Sequence, residues 1–120
     1  AFPKTSGSKG LQLYVPLNSP HTQDHAGQFA LAAGRVLEQR TPARITTTMA
    51  RKERTGRVFV DWSQNTHHKT TVTPYSLRGK DLPCAATPVT WEEVREGLSE
   101  QFLFTETIAR LQEMGDLLQG

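Results

Sequence analysis

Asp61 closes an apolar run, Arg57-Val58-Phe59-Val60, and opens a polar one, Trp62-Ser63-Gln64-Asn65. A carboxylate at the mouth of a buried strand is held rigidly, and active-site groups are best supported there. A turn-capping aspartate would leave the same local pattern. The second chemical grouping is Lys4-Thr5-Ser6-Gly7-Ser8-Lys9-Gly10. Its backbone N–H groups, hydroxyls and ammonium groups suit an anion. The spacing of a Walker A loop is absent, and Gly/Ser-rich segments also serve as flexible linkers. Gln12 lies just past this loop, within reach of a phosphate held there. Further on, Arg78-Gly79-Lys80 places two cations around a glycine, a second arm for a polyphosphate.

Arg44, Arg51, Lys52, Arg54 and Arg57 crowd one short span that contains a single acid, Glu53. Such density suits phosphate or nucleic-acid contact, and equally a solvated basic face. Other candidates carry less. His21 and His25 are four apart, but a helix capped by Thr22 or Asp24 leaves His21 outside it. His67 and His68 are adjacent, so a regular strand points them apart, and no further ligands complete a zinc set. Ser6 and Ser8 have no nucleophile-elbow context.

A chain of 120 residues with net charge +2, 36% hydrophobic residues and a mean hydropathy of −0.52 is about one domain with an ordinary soluble composition. No run approaches the ~20 apolar residues of a membrane span, and no charged-then-apolar leader is visible. The lone cysteine, Cys84, excludes an intrachain disulfide and fits a reducing interior. A cytoplasmic setting is expected.

The elements that must position these groups follow from periodicity. Leu11 to Leu17 alternates as a strand, with Leu11, Leu13 and Val15 on one face and Gln12 and Tyr14 on the other. Residues 23–40 read as a helix with an apolar core stripe of Phe29, Ala33, Val36 and Leu37, stopped by Thr41-Pro42. Ile45–Met49 and Thr70–Thr73 are β-branched and read as short strands. Between them, Arg51–Arg54 is expected as a loop leading into the strand Arg57–Val60, buried on both faces. Pro83 and Pro88 mark a connector. Thr90-Trp91-Glu92-Glu93 is a capping box that opens a short helix, so Glu92 and Glu93 read as helix-start acids. A last helix runs from about Thr105 to Met114, with Phe104, Ile108 and Leu111 spaced for burial and Gly115 as its stop. The expected fold is α/β, an α+β sandwich whose mixed, largely antiparallel sheet is flanked by helices. On it the glycine loop, Asp61 and Arg78 could converge on one face as a nucleoside triphosphate site, with a carboxylate for a divalent metal.

Three stretches carry a resemblance: Lys4 through Leu17, Val58 through Asn65, and Pro74-Tyr75-Ser76-Leu77-Arg78, in that order. Together they resemble the polymerase domain of bacterial ligase D, of the archaeo-eukaryotic primase superfamily and actinobacterial in wording. The similarity runs through Trp91-Glu92-Glu93 into the terminal helix. It implies a template-directed nucleotidyltransferase that adds nucleotides, preferentially ribonucleotides and with Mn2+ or Mg2+, at DNA ends during non-homologous end joining. The implied partners are nucleoside triphosphates, DNA ends with a template strand, a ligase domain and a Ku-type end-binding protein, in the bacterial cytosol or nucleoid.

By position the resemblance makes Asp61 the third metal-binding carboxylate. It places Ser6, Lys9 and Gly10 in the loop on the incoming triphosphate, joined by Arg78. Arg54 falls where a basic residue nears the templating base, with Arg51 and Lys52 beside it; Asn65 and Lys80 match the motifs. Two departures stand out. Members usually carry histidine where this chain has Gln12, whose amide donates a hydrogen bond but carries no proton charge. The family's Asp-x-Asp pair lies upstream of the glycine loop, and the 120 residues contain none. Residues 1–120 are therefore expected to be the C-terminal portion of such a domain, inactive without the upstream aspartates. The alternative is a non-catalytic nucleotide- or DNA-binding module that keeps the triphosphate cradle.

Overall fold

A computed structural model of the chain describes residues 1–66, 69–79, 81–98 and 101–119, with Glu53 described by its backbone alone. His67, His68 and Lys80 lie outside the described residues. Two units are present, Ala1–Pro16 with Val72–Gly120, and Leu17–Thr71. Short strands and helices alternate in a mixed α/β fold. Two of its strand pairs are antiparallel and one is parallel, in keeping with the mixed, largely antiparallel pattern expected.

In the first unit, β1 (Phe2–Thr5) and β2 (Leu11–Tyr14) form an antiparallel hairpin around the glycine loop. The opening residues, which carry no obvious strand signal, are thus a strand, and Lys4 and Thr5 belong to it rather than to the loop. Its other edge is held by residues 87–89: Thr5 N–H donates to Thr87 O at 2.8 Å and Val89 N–H to Pro3 O at 3.1 Å. The same ribbon begins as β5 (Cys84–Ala85), which pairs with β6 (Phe102–Leu103). It also takes hydrogen bonds from residues 75–78, through Tyr75 N–H to Ala86 O and Arg78 N–H to Cys84 O.

Residues 84–89, expected as a connector, are therefore the spine of this unit. Ala85, Ala86 and Val89 are buried, together with Pro88 and, on β1, Pro3. Small side chains let three backbones pack against the ribbon, which proline content alone does not reveal. Polar contacts reinforce it: Thr87 Oγ1 lies 2.8 Å from Thr107 Oγ1, both buried.

The two terminal helices, α3 (Trp91–Glu96) and α4 (Phe104–Met114), fall close to expectation. Thr90 and Glu93 form the capping box, and Gly115 ends α4 at φ +73°. Arg110 on α4 grips Glu93 with two hydrogen bonds of 2.6 and 2.8 Å, and its guanidinium lies 4.5 Å from the Phe102 ring centroid. The stripe of Phe104, Ile108 and Leu111 is exposed, contrary to expectation, and Thr107 is the buried residue of the helix.

In the second unit, α1 (Gln23–Arg40) has the expected bounds, and its cap is Thr22, whose hydroxyl accepts from His25 N–H. His21 is indeed outside the helix. The stripe assigned to the core is not buried: Phe29 is 58% exposed, and Val36 and Leu37 are exposed as well. The packed face carries Gly27 and Gly34 instead. A Cβ on Gly34 would stand 2.9 Å from Thr47 Cγ2 and 3.1 Å from Val60 Cγ1, so glycine lets the helix approach closely.

β3 (Ile45–Thr46) pairs in parallel with β4 (Val58–Phe59). Both are shorter than expected, and β4 is not buried on both faces, since Val58 is 67% exposed. Arg51–Arg54 is one helical turn, α2, rather than a loop. Residues 70–73 form no strand. Among the described residues no helix is long and apolar enough to cross a membrane.

Candidate functional site

The loop between β1 and β2 is organised by Ser6. Its hydroxyl accepts from Ser8 N–H at 3.1 Å and Gly10 N–H at 3.0 Å, and Ser6 N–H reaches Gly10 O at 2.9 Å. Gln101, just before β6, braces it from outside: its Oε1 accepts from Gly7 N–H at 2.7 Å and its amide donates to Gly10 O at 3.4 Å. Four loop N–H groups expected to face an anion, those of Ser6, Gly7, Ser8 and Gly10, are thus engaged within the protein, and Lys9 is exposed at the tip. No sequence signal marked Gln101, which is 94 residues from its partner Gly7.

Arg78 sits directly against this loop. Gly7 adopts φ +77°, and a Cβ there would stand 2.6 Å from Arg78 Cγ and 3.1 Å from Ala86 N. The Arg78 arm is set by Tyr75, a non-glycine residue at φ +69°. Its hydroxyl donates to Asp116 Oδ1 at 2.5 Å, and burial together with that carboxylate pushes the phenol up to about 12. The last member is Lys4, fully buried in β1. Its Nζ donates to Val72 O at 3.0 Å and lies 5.3 Å from the Tyr14 ring centroid. Burial first, and then the charge of Arg78, push its ammonium down to about 8. Gln12 pairs with Lys4 across the hairpin; its Oε1 is buried and without a partner among the described residues.

Ser6, Lys9, Gly10, Gln12 and Arg78 therefore belong to one unit, and Lys4 joins them. Hydroxyl, amide, ammonium and guanidinium groups are gathered at one end of a hairpin. This set can hold an oxyanion through charge-assisted hydrogen bonds.

Asp61 and Asn65 belong to the second unit. Asp61 precedes a 3-10 turn, Trp62–Asn65. Its Oδ1 accepts from Ser63 Oγ at 2.7 Å and its Oδ2 from Gln64 Nε2 at 2.9 Å. Burial pushes the carboxyl up, but the hydrogen bonds from Gln64 and Ser63 and the charge of Lys69 outweigh that and hold it below its usual value. The turn itself is fixed by Trp62, whose Nε1 donates to Thr47 O at 3.1 Å, and by Asn65, whose amide donates to Trp62 O at 3.2 Å. Asn65 thus has a local holding role. Thr47 is in turn secured by Glu38 on α1, which accepts its N–H at 2.7 Å.

An ionised, exposed carboxylate is a suitable hard oxygen ligand for Mg2+ or Mn2+. The described residues contain no group of three or more His, Cys, Asp or Glu placed to hold a metal, so Asp61 by itself makes no metal site. Arg51 and Lys52 are exposed on α2, while Arg54 packs its guanidinium 4.9 Å from the Phe59 ring centroid.

Residues 1–118 match the family model described as the LigD primase-polymerase domain. The chain belongs to that family. It is 49% identical over 117 residues to the multifunctional non-homologous end joining protein LigD of Mycolicibacterium smegmatis, covering 98% of this chain and 15% of that protein. It is 33% identical over 109 residues to the bifunctional LigD of Bacillus subtilis, covering 90% of this chain and 18% of that protein. The solved polymerase domain of Mycobacterium tuberculosis ligase D, in complex with DNA, superposes with a TM-score of 0.93 at 48% identity. That match covers 98% of this chain and 41% of the solved one. The chain thus spans a small part of the curated relatives it matches. The ligase D polymerase fold expected from the three motifs is the fold observed.

Proposed function

We propose that these residues are part of a template-directed nucleotidyltransferase that adds nucleotides, preferentially ribonucleotides, at DNA ends during non-homologous end joining. The observation that carries this reading is the gathering of Ser6, Lys9, Gln12 and Arg78 on one hairpin end, in a chain of the ligase D primase-polymerase family. In this reading the loop hydroxyl, the amide and the guanidinium hold the incoming triphosphate, and preorganised donors of this kind stabilise charge that builds on the phosphates. Asp61 serves as one carboxylate ligand of a divalent metal, which would offset phosphate charge when bound. Arg51, Lys52 and Arg54 contact DNA phosphates; the solved relative's complex with DNA supports a DNA partner. A ligase domain and a Ku-type end-binding protein are the further partners, in the bacterial cytosol.

The exposed apolar faces fit residues that work inside a larger polymerase domain. Leu11 and Leu13 on β2 with Val15 just past it, and Phe29, Val36 and Leu37 on α1, are uncovered. Contiguous exposed apolar surface calls for a covering partner. We take residues 1–120 as the C-terminal portion of that domain, with the Asp-x-Asp pair supplied upstream.

Primer extension with manganese and ribonucleotides tests this, on the 120-residue chain and on a form extended upstream. Extension by the longer form alone, abolished by Asp61→Ala, is expected. Robust extension by the 120 residues would overturn the requirement for upstream carboxylates. A second reading, a non-catalytic nucleotide- or DNA-binding module, is favoured by the incomplete metal set among the described residues. Triphosphate binding without extension by either form would establish it.

A further inference from the structure

We propose that Lys4 is a positioning residue of the triphosphate cradle: as an anion enters, its buried ammonium takes up the Gln12 side-chain carbonyl opposite it, leaving the Gln12 amide donors and Arg78 to face a phosphate group. This deepens the reading above and rests on it.

Lys4 is 0% exposed, at the centre of a strand paired on one side with β2 and bridged to Pro88 on the other. Burying an ammonium is costly unless its charge is answered. Among the described residues no carboxylate pairs with it. Its partner is the Val72 carbonyl, which the Tyr14 hydroxyl already shares at 3.2 Å. An ammonium has three donors, so it can serve a second acceptor.

That acceptor is adjacent. Lys4 and Gln12 are directly opposite in the antiparallel hairpin, so both side chains stand on one face, about 5 Å apart at Cβ. The Gln12 Oε1 is buried and lacks a donor among the described residues. A carbonyl without a donor and an ammonium with donors to spare are complementary. A buried orphan acceptor is also destabilising until it finds one.

The charges around Lys4 indicate what completes the set. Gln12 and Tyr14 face it from β2, the Val72 carbonyl from residue 72, and Arg78 from the arm that packs on the loop. Arg78 is a like charge, and its repulsion adds to burial in depressing the ammonium. An entering anion reverses this. It attracts both cations, stabilises the protonated form of Lys4 and draws a proton onto it near pH 8. A lysine that merely straps the hairpin to Val72 would show none of this linkage.

Tripolyphosphate without metal, titrated calorimetrically into the full-length protein and its Lys4→Met variant, tests the proposal. At pH 8, in two buffers of different ionisation enthalpy, binding to the unmutated protein is expected to take up protons. Lys4→Met should abolish that uptake and weaken binding roughly tenfold or more, the worth of one charge-assisted hydrogen bond. Lys4→Arg should recover part of the affinity without the uptake. Should Lys4→Met fail to fold, the Lys4 Cε resonance followed by NMR in the unmutated protein reports the same linkage as an upward shift of its titration on adding tripolyphosphate. Equal affinity and equal proton uptake in both proteins, or an unmoved titration, would overturn the role of Lys4 alone. Absence of binding by the unmutated protein would overturn the triphosphate reading and this inference together.

Discussion

Gly7 and Arg78 pack so closely that a Cβ on Gly7 would stand 2.6 Å from Arg78 Cγ. The glycine also has φ +77°, a conformation that side chains resist. The loop therefore fixes where the Arg78 stem lies. Gly7→Ala is expected to destabilise the protein by about 1–3 kcal/mol and to weaken triphosphate binding by displacing Arg78. Thermal unfolding and nucleotide titration check it; unchanged affinity would mean that the Arg78 arm does not serve the ligand.

Gln101 braces the loop by accepting from Gly7 N–H and donating to Gly10 O. Gln101→Leu should cost about 1–3 kcal/mol of global stability, the net worth of two such bonds. Its effect belongs in the loop. Amide exchange at Gly7 should speed up, and triphosphate affinity should fall several-fold. Unaltered exchange at Gly7 would remove Gln101 from the account.

The basic turn α2 divides into two kinds of residue. Arg51 and Lys52 are exposed, whereas Arg54 stacks on Phe59. Neutralising Arg51 and Lys52 should reduce DNA affinity and flatten its salt dependence, by about 0.9 in logarithmic slope for each phosphate no longer neutralised. Arg54→Gln should in addition lower stability by about 0.5–1 kcal/mol, the worth of an exposed cation–π interaction. Binding measured from low to high salt decides it, and an unchanged slope would make the turn a solvated face.

Glu93 closes the capping box of α3 and accepts two hydrogen bonds from Arg110, which holds its carboxyl below the usual value of 4.5. A carboxyl depressed in the folded state contributes stability above its unfolded value and loses it as pH falls through the lower, folded one. Stability should therefore drop as pH falls below about 4.5, and Glu93→Gln should flatten that drop. At neutral pH the substitution should cost about 1–2 kcal/mol, discounted for partial exposure. Denaturant midpoints across pH 3–7, expected to converge for the two proteins at the acid end, provide the check.

The features legible in the sequence are those closed by bonds between near neighbours. Thr22 caps α1 through His25 three residues on, Thr90 and Glu93 satisfy each other, and Gly115 supplies the positive φ that ends α4. Gln12 and Asp61 were also visible, because polar side chains interrupt apolar runs there, and the family resemblance marked Ser6 and Arg78. What the tertiary structure alone decided is burial. The periodicity of Phe29, Val36 and Leu37 marks one face of a helix, and it cannot say that another face, with Gly27 and Gly34, is the buried one and that Gly34 makes the close approach. Residues 84–89 read as a connector and are the spine, because three backbones pair with them, β1 from 82 residues away where Thr5 meets Thr87. Lys4 reads as a loop cation and is a buried one for the same reason: strands on both sides close over it, and no local pattern encodes which strands those are.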